Sequence, residues 1–589
     1  MEFQNILKRF LIWRVKHITD RNFMLILSVV VGIAVGIAAV VIKNSVYFTQ
    51  KVLVNIVNIN YLFFIYPAIG ILLVVIFTRY ILRRKLGHGI PMVLHSISKK
   101  NGKIERHNTF SRIIGSSLTV GFGGSVGLEG PIVATGAAIG SNIGQSLQLN
   151  YKQIILLIGC ACTGAIAAIF NAPIAAIIFT LEVIMLNLTM SAILPLLLAS
   201  ISASLTSYLF LGQNVIYFVE KTEPFLLKNL PFYIVLGILT GLLSVYFSKI
   251  YLGLNNFFEN IKSWWKQFFL GVLILGILIF IFPSLYGEGY EIINLCLHGD
   301  SSFLFENTFY RTTENFFIIS GLFLLIILFK AFATGATFGA GGVGGIFAPA
   351  LFLGANFGLF FSKVFSYYGF NLPTSNFALV AMAGAIAGIM QAPLTAIFMI
   401  AEITSGYELF IPLMIVSSLS YFTTKIFMPN SVYTILLAKR GELLTHHADK
   451  KLLTLLKIDN LIETNFIKVK QNNTLGEMVN AISRSSRNIF PVVDDDNILK
   501  GIVVLDHIKH IMFKKDLYDK TLVRDLMFVP LSSSIIDIHK MTLEEVAEIF
   551  EESGNYNLPV VEDGKYLGFI SRARLFSNYR ELLKKLSDE

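Results

Sequence analysis

Gly121-Phe-Gly-Gly-Ser-Val-Gly-Leu-Glu-Gly-Pro131 aligns without a gap on Gly339-Ala-Gly-Gly-Val-Gly-Gly-Ile-Phe-Ala-Pro349 at an offset of 218 residues, and the register continues through Gly136/Gly354, Ala137/Ala355 and Gly140/Gly358. A second pair, Ala172-Pro-Ile-Ala-Ala-Ile177 with Glu182 and Ala392-Pro-Leu-Thr-Ala-Ile397 with Glu402, lies at an offset of 220. Two motifs repeated at nearly one spacing mean a duplicated unit. Clustered glycine and proline break helices, and broken backbone within a bilayer is tolerated only where it is buried in protein or lines a watery cavity. Breaks at matching positions of two halves point to a substrate site near the bilayer midplane. Gly32 and Gly36, by contrast, read as a close-packing face between helices. No Gly-Lys-Ser/Thr follows either loop, which excludes a nucleotide P-loop.

Working outward, the 589 residues are 54% hydrophobic and 15% charged, with a mean hydropathy of +0.67. A soluble domain carries about a quarter of its residues as charges, so an ordinary cytosolic enzyme is excluded. Residues 1–442 carry a net charge of +12 and residues 443–589 one of −2. This predicts a polytopic membrane domain followed by a soluble tail. The positive charge gathers in loops beside apolar spans, which argues against a nucleic-acid partner. Cys160, Cys162 and Cys296 cannot form a disulfide framework and read as buried packing. The apolar run Asn22 to Ile42 is too long for a signal-peptide core and is taken as a retained first helix. Arg79 to Arg112 holds nine Lys/Arg against Glu105 alone, so this loop and the N-terminus are expected on the cytoplasmic side. The acid-rich stretch 285–315 is expected outside.

Pro131 and Pro349 suit the first turn of a helix, so each loop offers free backbone N–H groups and the positive end of a helix dipole. That suits an anion. A cation path would need intramembrane carboxylates or rings of carbonyls, yet no aspartate lies between Asp20 and Asp300, and acids within strongly apolar sequence reduce to Glu129, Glu182 and Glu402. Glu129 lies inside the helix-breaking loop, where its ionised carboxylate would occupy the same N-terminal pocket as an anion, and an intramembrane carboxylate is a functional hypothesis by default. Glu182 and Glu402, at equivalent helix ends, read instead as anchors for neighbouring backbone.

These residues resemble the CLC family of chloride channels and proton/chloride exchangers. Gly127-Leu-Glu-Gly-Pro131 is similar to the family's G-K/R-E-G-P, Gly345-Ile-Phe-Ala-Pro349 to its G-x-F-x-P, Gly87-His-Gly-Ile-Pro91 to its G-S-G-I-P, and Asn430-Ser-Val-Tyr433 to the segment with its anion-coordinating tyrosine. The resemblance covers roughly residues 20 to 440. It implies an all-α polytopic fold with an inverted-topology repeat and broken helices, and a homodimer with one pore per subunit. It further implies Glu129 as the external gating glutamate, Ile346 and Phe347 as backbone donors and Tyr433 as a hydroxyl donor, with His88, Gly89, Ile90, Gly127, Leu128 and Gly130 completing the anion site. Three departures stand out. His88 replaces the serine of G-S-G-I-P, Leu128 removes a positive charge expected near the outer mouth, and Val183 occupies the position of the internal proton-transfer glutamate. A valine cannot relay a proton, which favours uncoupled conduction over exchange, with a coupled route through Glu129 and water or His88 left open.

The tail repeats as well: Thr474-Leu-Gly-Glu to Pro491-Val-Val and Thr542-Leu-Glu-Glu to Pro559-Val-Val share an interval of 17 residues. Each half reads as an amphipathic helix, a strand, an acidic turn and a second strand entering a helix. This α/β pair resembles CBS domains. In such pairs a Gly-x-x-Ser/Thr-x-x-Asp segment often binds an adenosine ribose; here Gly501 is followed by Val504 and His507, and Gly568 by Ser571 and Arg574, so neither copy keeps the aspartate. The sequence thus argues against adenine-nucleotide regulation, and no cofactor is required. The expected organisation is a transport domain over 1–441 with repeats around 80–220 and 300–430, a linker over 442–458, and CBS domains over 459–518 and 519–589. A CBS-containing divalent-cation channel would need acidic pore residues that are missing. A membrane enzyme would need a nucleophile or metal motif, and neither occurs. The expected function is transport of chloride or another small anion across the bilayer, as a channel gated by Glu129 or, alternatively, as a proton-coupled exchanger of chloride or fluoride.

Overall fold

The computed structural model describes residues 9, 13–14, 16–56, 63–84, 86, 89–184, 192–212, 223–306, 308, 315–404, 406–435, 458–531, 534–539 and 541–578. The chain forms two compact units, Met1–Leu443 and Leu444–Glu589.

The first unit is helical. Its helices are α1 (Asp20–Ile56), α2 (Tyr66–Ile76), α3 (Gly89–Lys99), α4 (Ser111–Gly121), α5 (Glu129–Ser146), α6 (Tyr151–Phe170), α7 (Pro173–Val183), α8 (Ile193–Leu211), α9 (Leu230–Asn260), α10 (Trp264–Ile281), α11 (Tyr290–Leu297), α12 (Phe316–Gly339), α13 (Phe347–Tyr367), α14 (Thr374–Met390), α15 (Pro393–Ile403) and α16 (Phe410–Phe427). Among the described residues nine helical segments are long and apolar enough to cross a membrane. Others, such as α7 and α15 with eleven residues each, are about 16 Å long and cannot span 30 Å of hydrocarbon alone. The expected broken helices are therefore present. On α1 the exposed residues Ile26, Val30, Ile33, Ile37 and Val41 follow helical spacing and form an apolar outer stripe. The opposite face packs closely: a Cβ on Gly32 would lie 2.5 Å from the Ala199 carbonyl, and one on Gly36 2.7 Å from Thr206 Cβ. Both glycines thus seat α1 against α8, as the small-residue reading expects.

Reciprocal contacts reveal the symmetry of the repeat. Thr337 Oγ1 accepts from the Ser125 amide (3.2 Å) and Thr119 Oγ1 from the Val343 amide (2.9 Å). When i meets j′ while j meets i′, a two-fold relation holds. Matched backbone strain repeats as well: Gly123 and Gly341 have φ of 91° and 102°, and Asn171 and Gln391, the left-handed ends of α6 and α14, both have φ of 55°. These left-handed residues turn the chain directly into Pro173 and Pro393, which open α7 and α15.

The second unit contains α17 (Leu475–Arg484), the hairpin β1 (Ile489–Val493) and β2 (Leu499–Val504), the short α18 (Leu505–Ile508), then β3 (Ile536–Asp537), α19 (Leu543–Ser553), β4 (Asn557–Glu562) and β5 (Lys565–Ser571). Capping boxes at Thr474/Glu477 and Thr542/Glu545 start the two longer helices. Both hairpins are antiparallel and carry a register shift at the same place of the repeat, Val492/Val493 and Val560/Val561. The two-residue β3, parallel to β4, was not anticipated; two residues leave no readable alternation.

Candidate functional site

The two glycine loops meet. Gly127 and Gly345 exchange both backbone hydrogen bonds, at 2.9 and 2.7 Å, as one antiparallel bridge. The approach demands glycine: a Cβ on Gly345 would lie 2.7 Å from the Gly130 nitrogen, and one on Gly89 2.5 Å from the Gly130 carbonyl. The starts of α3, α5 and α13 are thereby drawn together, and with them the first-turn N–H groups and positive dipole ends of three helices. Beside them lies a cavity of about 30 Å³, lined by Gly89, Ile90, Gly130, Ile346, Val432 and the buried Tyr433, with Tyr251, Asn255 and Phe338. That volume suffices for one or two water-sized particles. Sequence reasoning missed Tyr251, Asn255, Phe338 and Val432, which lie outside its motifs or contribute no charge.

This small cavity adjoins a wide one of about 730 Å³, with which it shares Pro91, Asn255, Phe338 and Gly344. The wide cavity is lined by Arg79, Arg83, Arg84, His95 and Arg112 against Glu259. Low-dielectric walls with one sign of charge focus the field and concentrate counter-ions. The basic segment used above to orient the chain thus also lines the wide cavity with basic side chains.

Glu129 opens α5 with only 1% of its surface exposed. The Tyr290 hydroxyl donates to its Oε1, and its Oε2 is buried without a hydrogen-bond partner. Beside it stand Lys43 from α1 and Glu288, and Lys330 from α12 stands beside Glu288. Lys43 Nζ donates to the Ile169 carbonyl at 2.7 Å. Lys330, fully buried, donates to Ser125 Oγ at 2.8 Å and lies 4.4 Å over the Phe352 ring. Leu128 places no charge before Glu129, and basic side chains enter the region from other elements. Leu128 is buried apolar packing, and the charge comes from elements remote in sequence. Glu288, from the acid-rich stretch 285–315, has its Oε1 shut off from solvent. Lone lysines within apolar helices were the available signal for Lys43 and Lys330.

Glu182 and Glu402 act as the anchors their places suggest, each across the repeat. Glu182 accepts from the Leu394 and Thr395 amides (3.1 and 2.7 Å) and from Thr395 Oγ1 (2.7 Å), at the start of α15. Glu402 accepts from the Ile174 and Ala175 amides (2.9 and 2.7 Å), at the start of α7. Val183 is buried in the apolar core, and the three cysteines are free and buried. Phe347 is buried at the first position of α13. Gly87 and His88 lie outside the described residues.

In the tail, Ser571 Oγ donates to Glu463 Oε1 at 2.5 Å, and Arg487 pairs with the other Glu463 oxygen at 2.6 Å. Arg574 reaches the Asn460 carbonyl, and the His507 ring lies against Phe528. Val504 ends β2. A Cβ on Gly568 would lie 2.4 Å from the Glu463 carbonyl, so the segment around Glu463 fills the space beside Ser571. Among the described residues no group of His, Cys, Asp and Glu could hold a metal ion.

Converging helix starts, a small cavity at a break in the repeat and a wide cavity with basic side chains define an anion-transport protein of the membrane. The sequence profile of the voltage-gated chloride channel family matches residues 69–425, and that of the CBS domain matches 458–514 and 523–581. The chain belongs to the voltage-gated chloride channel (CLC) family and carries a C-terminal CBS pair; it is a multi-pass membrane protein and not an enzyme. It is 28% identical to the H(+)/Cl(-) exchange transporter ClcA of Yersinia pestis, over 71% of this chain and 87% of that relative. It is 25% identical to the chloride channel protein CLC-f of Arabidopsis thaliana, over 85% and 72%. Among solved structures, a slow cyanobacterial Cl-/H+ antiporter superposes with a TM-score of 0.61 at 21% identity, covering 72% of this chain and 98% of that one. A eukaryotic CLC transporter superposes with a TM-score of 0.58 at 16% identity, covering 94% and 97%.

Proposed function

We propose that the chain is a chloride channel in which a dehydrated anion sits in the small cavity and Glu129 is the gate. The convergence of three helix starts on that cavity carries this reading. Half a charge about 4 Å away in an effective dielectric of about 20 is worth roughly 2 kcal/mol. Three such ends offset about 6 kcal/mol of the several that dehydrating an ion costs. Ile346 and Phe347 supply backbone donors and Tyr433 its hydroxyl, while Gly89, Ile90, Gly127, Leu128 and Gly130 bring the backbone close. The ionised Glu129 carboxylate competes with the anion at the start of α5; protonation releases it. The buried Val183 offers no internal acid, which favours uncoupled conduction. The protein works as a homodimer with one pore per subunit and cytoplasmic termini. It needs no cofactor, and the CBS pair is structural or dimerising, a role supported by the engagement of Ser571 with Glu463.

Chloride-loaded liposomes test this when efflux and proton uptake are recorded together, with and without a potassium ionophore. Chloride should leave through the shunt with no proton uptake against its gradient. Glu129→Gln should raise the efflux and abolish its dependence on external pH; an unchanged response would sink the gate. A second reading, proton-coupled exchange, is favoured by the relatives named as exchangers. Uphill proton uptake in the same assay would establish it and turn attention to His88.

A further inference from the structure

The gate leaves one buried acid without a role. Glu288 lies in the strap Gly287-Glu288-Gly289-Tyr290, whose two glycines have φ of 67° and 86°. The strap is pinned from three sides. The Gly287 amide donates to the Gly123 carbonyl at 2.9 Å, Lys330 reaches the Gly287 carbonyl at 3.5 Å, and a Cβ on Gly289 would lie 2.5 Å from the Phe352 ring. So fixed, it sends two groups to the start of α5. Tyr290 donates to Glu129 Oε1, and the Glu288 carboxylate lies beside Glu129.

Two observations give this a function. Glu129 Oε2 and Glu288 Oε1 are both closed to solvent and both lack a hydrogen-bond partner, a state that a proton on either carboxyl relieves by supplying a donor. Glu288 as a residue is half-buried whereas Glu129 is enclosed, so a proton arriving from the solvent meets Glu288 first. The groups facing the pair are Lys43 from α1, Lys330 from α12, and Tyr290 from α11; Tyr433, after α16, faces Glu129, and Glu291 is exposed.

We propose that Glu288 is a second proton-handling residue of the gate, exchanging protons with Glu129 and, when ionised, opposing the ionisation of Glu129. The inference rests on the Glu129 reading. In liposomes, chloride efflux is measured against external pH for the wild type, Glu288→Gln, Glu129→Gln and the double variant. An ionised neighbour disfavours ionisation of Glu129, so Glu288→Gln should move half-activation about one pH unit toward acid. Glu288→Asp keeps a titrating group and should retain the wild-type midpoint; Glu288→Ala, which removes the carboxyl as well, should shift it as Gln does and serves if the Gln variant does not fold. The double variant should match Glu129→Gln. A flat Glu129→Gln profile with superimposable wild-type and Glu288→Gln curves overturns this inference alone. A Glu129→Gln profile that still titrates overturns the gate itself.

Discussion

Glu182→Gln is the sharpest test of whether the crossed carboxylates are anchors or proton carriers, because Glu182 is adjacent to the position where related exchangers are expected to hold an internal acid. Glu182 accepts three hydrogen bonds at the start of α15, two from amides and one from a hydroxyl. Bonds to a charged group contribute about 1.5 kcal/mol each at the low end. Gln retains one acceptor oxygen for about 1 kcal/mol, so the substitution should cost about 2–3 kcal/mol after allowance for partial exposure. Glu402 accepts two, and Glu402→Gln should cost roughly 1 kcal/mol less than Glu182→Gln. Heating the detergent-solubilised protein and measuring the monodisperse fraction by gel filtration gives an apparent Tm, expected to fall by roughly 5 °C for Glu182→Gln and about half of that for Glu402→Gln. Chloride efflux per folded molecule should stay within about two-fold, since neither carboxylate lines the small or the wide cavity described above. An unchanged Tm together with abolished efflux would refute the anchoring argument.

Gly345→Ala would push a methyl to 2.7 Å from the Gly130 nitrogen and should cost about 1–3 kcal/mol, with loss of efflux as the Gly127–Gly345 bridge opens. Gly253→Ala, with open space around its Cβ position, should leave both yield and efflux at wild-type levels. Thr474→Ala and Thr542→Ala each remove a capping hydroxyl and should cost about 1 kcal/mol, read as roughly five-fold faster amide exchange in the first turns of α17 and α19. The Asp494 carboxyl is held below its ordinary value, chiefly by the Ile498 amide and further by Lys500 and the Asp496 amide. A depressed carboxylate stabilises the fold above its unfolded pKa and loses that contribution as pH falls through the folded one. Asp494→Asn should therefore lower the unfolding temperature of the tail at neutral pH, with the gap to wild type closing below about pH 4; a gap that persisted in acid would contradict the assignment.

The repeat was legible because a two-fold relation forces matched residues into reciprocal contact: Gly127 with Gly345, Thr119 with Val343 against Thr337 with Ser125, Glu182 with α15 against Glu402 with α7. Motif offsets sufficed to find the frame. What surrounds Glu129 was not legible, since Lys43, Lys330 and the Glu288–Tyr290 strap come from three separate parts of the chain and only the fold collects them. Hydropathy assigns segments to sides of a membrane and says nothing about a strap that encloses a carboxylate oxygen of Glu288. One signal did exist at the repeat spacing. Lys330 lies 218 residues after Arg112, on the helix that leads into the equivalent glycine loop, and both are almost wholly buried. Arg112 faces the wide cavity, whereas Lys330 faces Glu288 and the strap. A buried cation is costly in apolar surroundings, so two of them at one repeat position argue for a shared purpose: a positive group at each approach to the small cavity. Only one approach also carries a carboxylate at the helix start, since Glu129 corresponds to Phe347. The frame is symmetric and the charge is not, and the proposed gate on one side of the path rests on that difference.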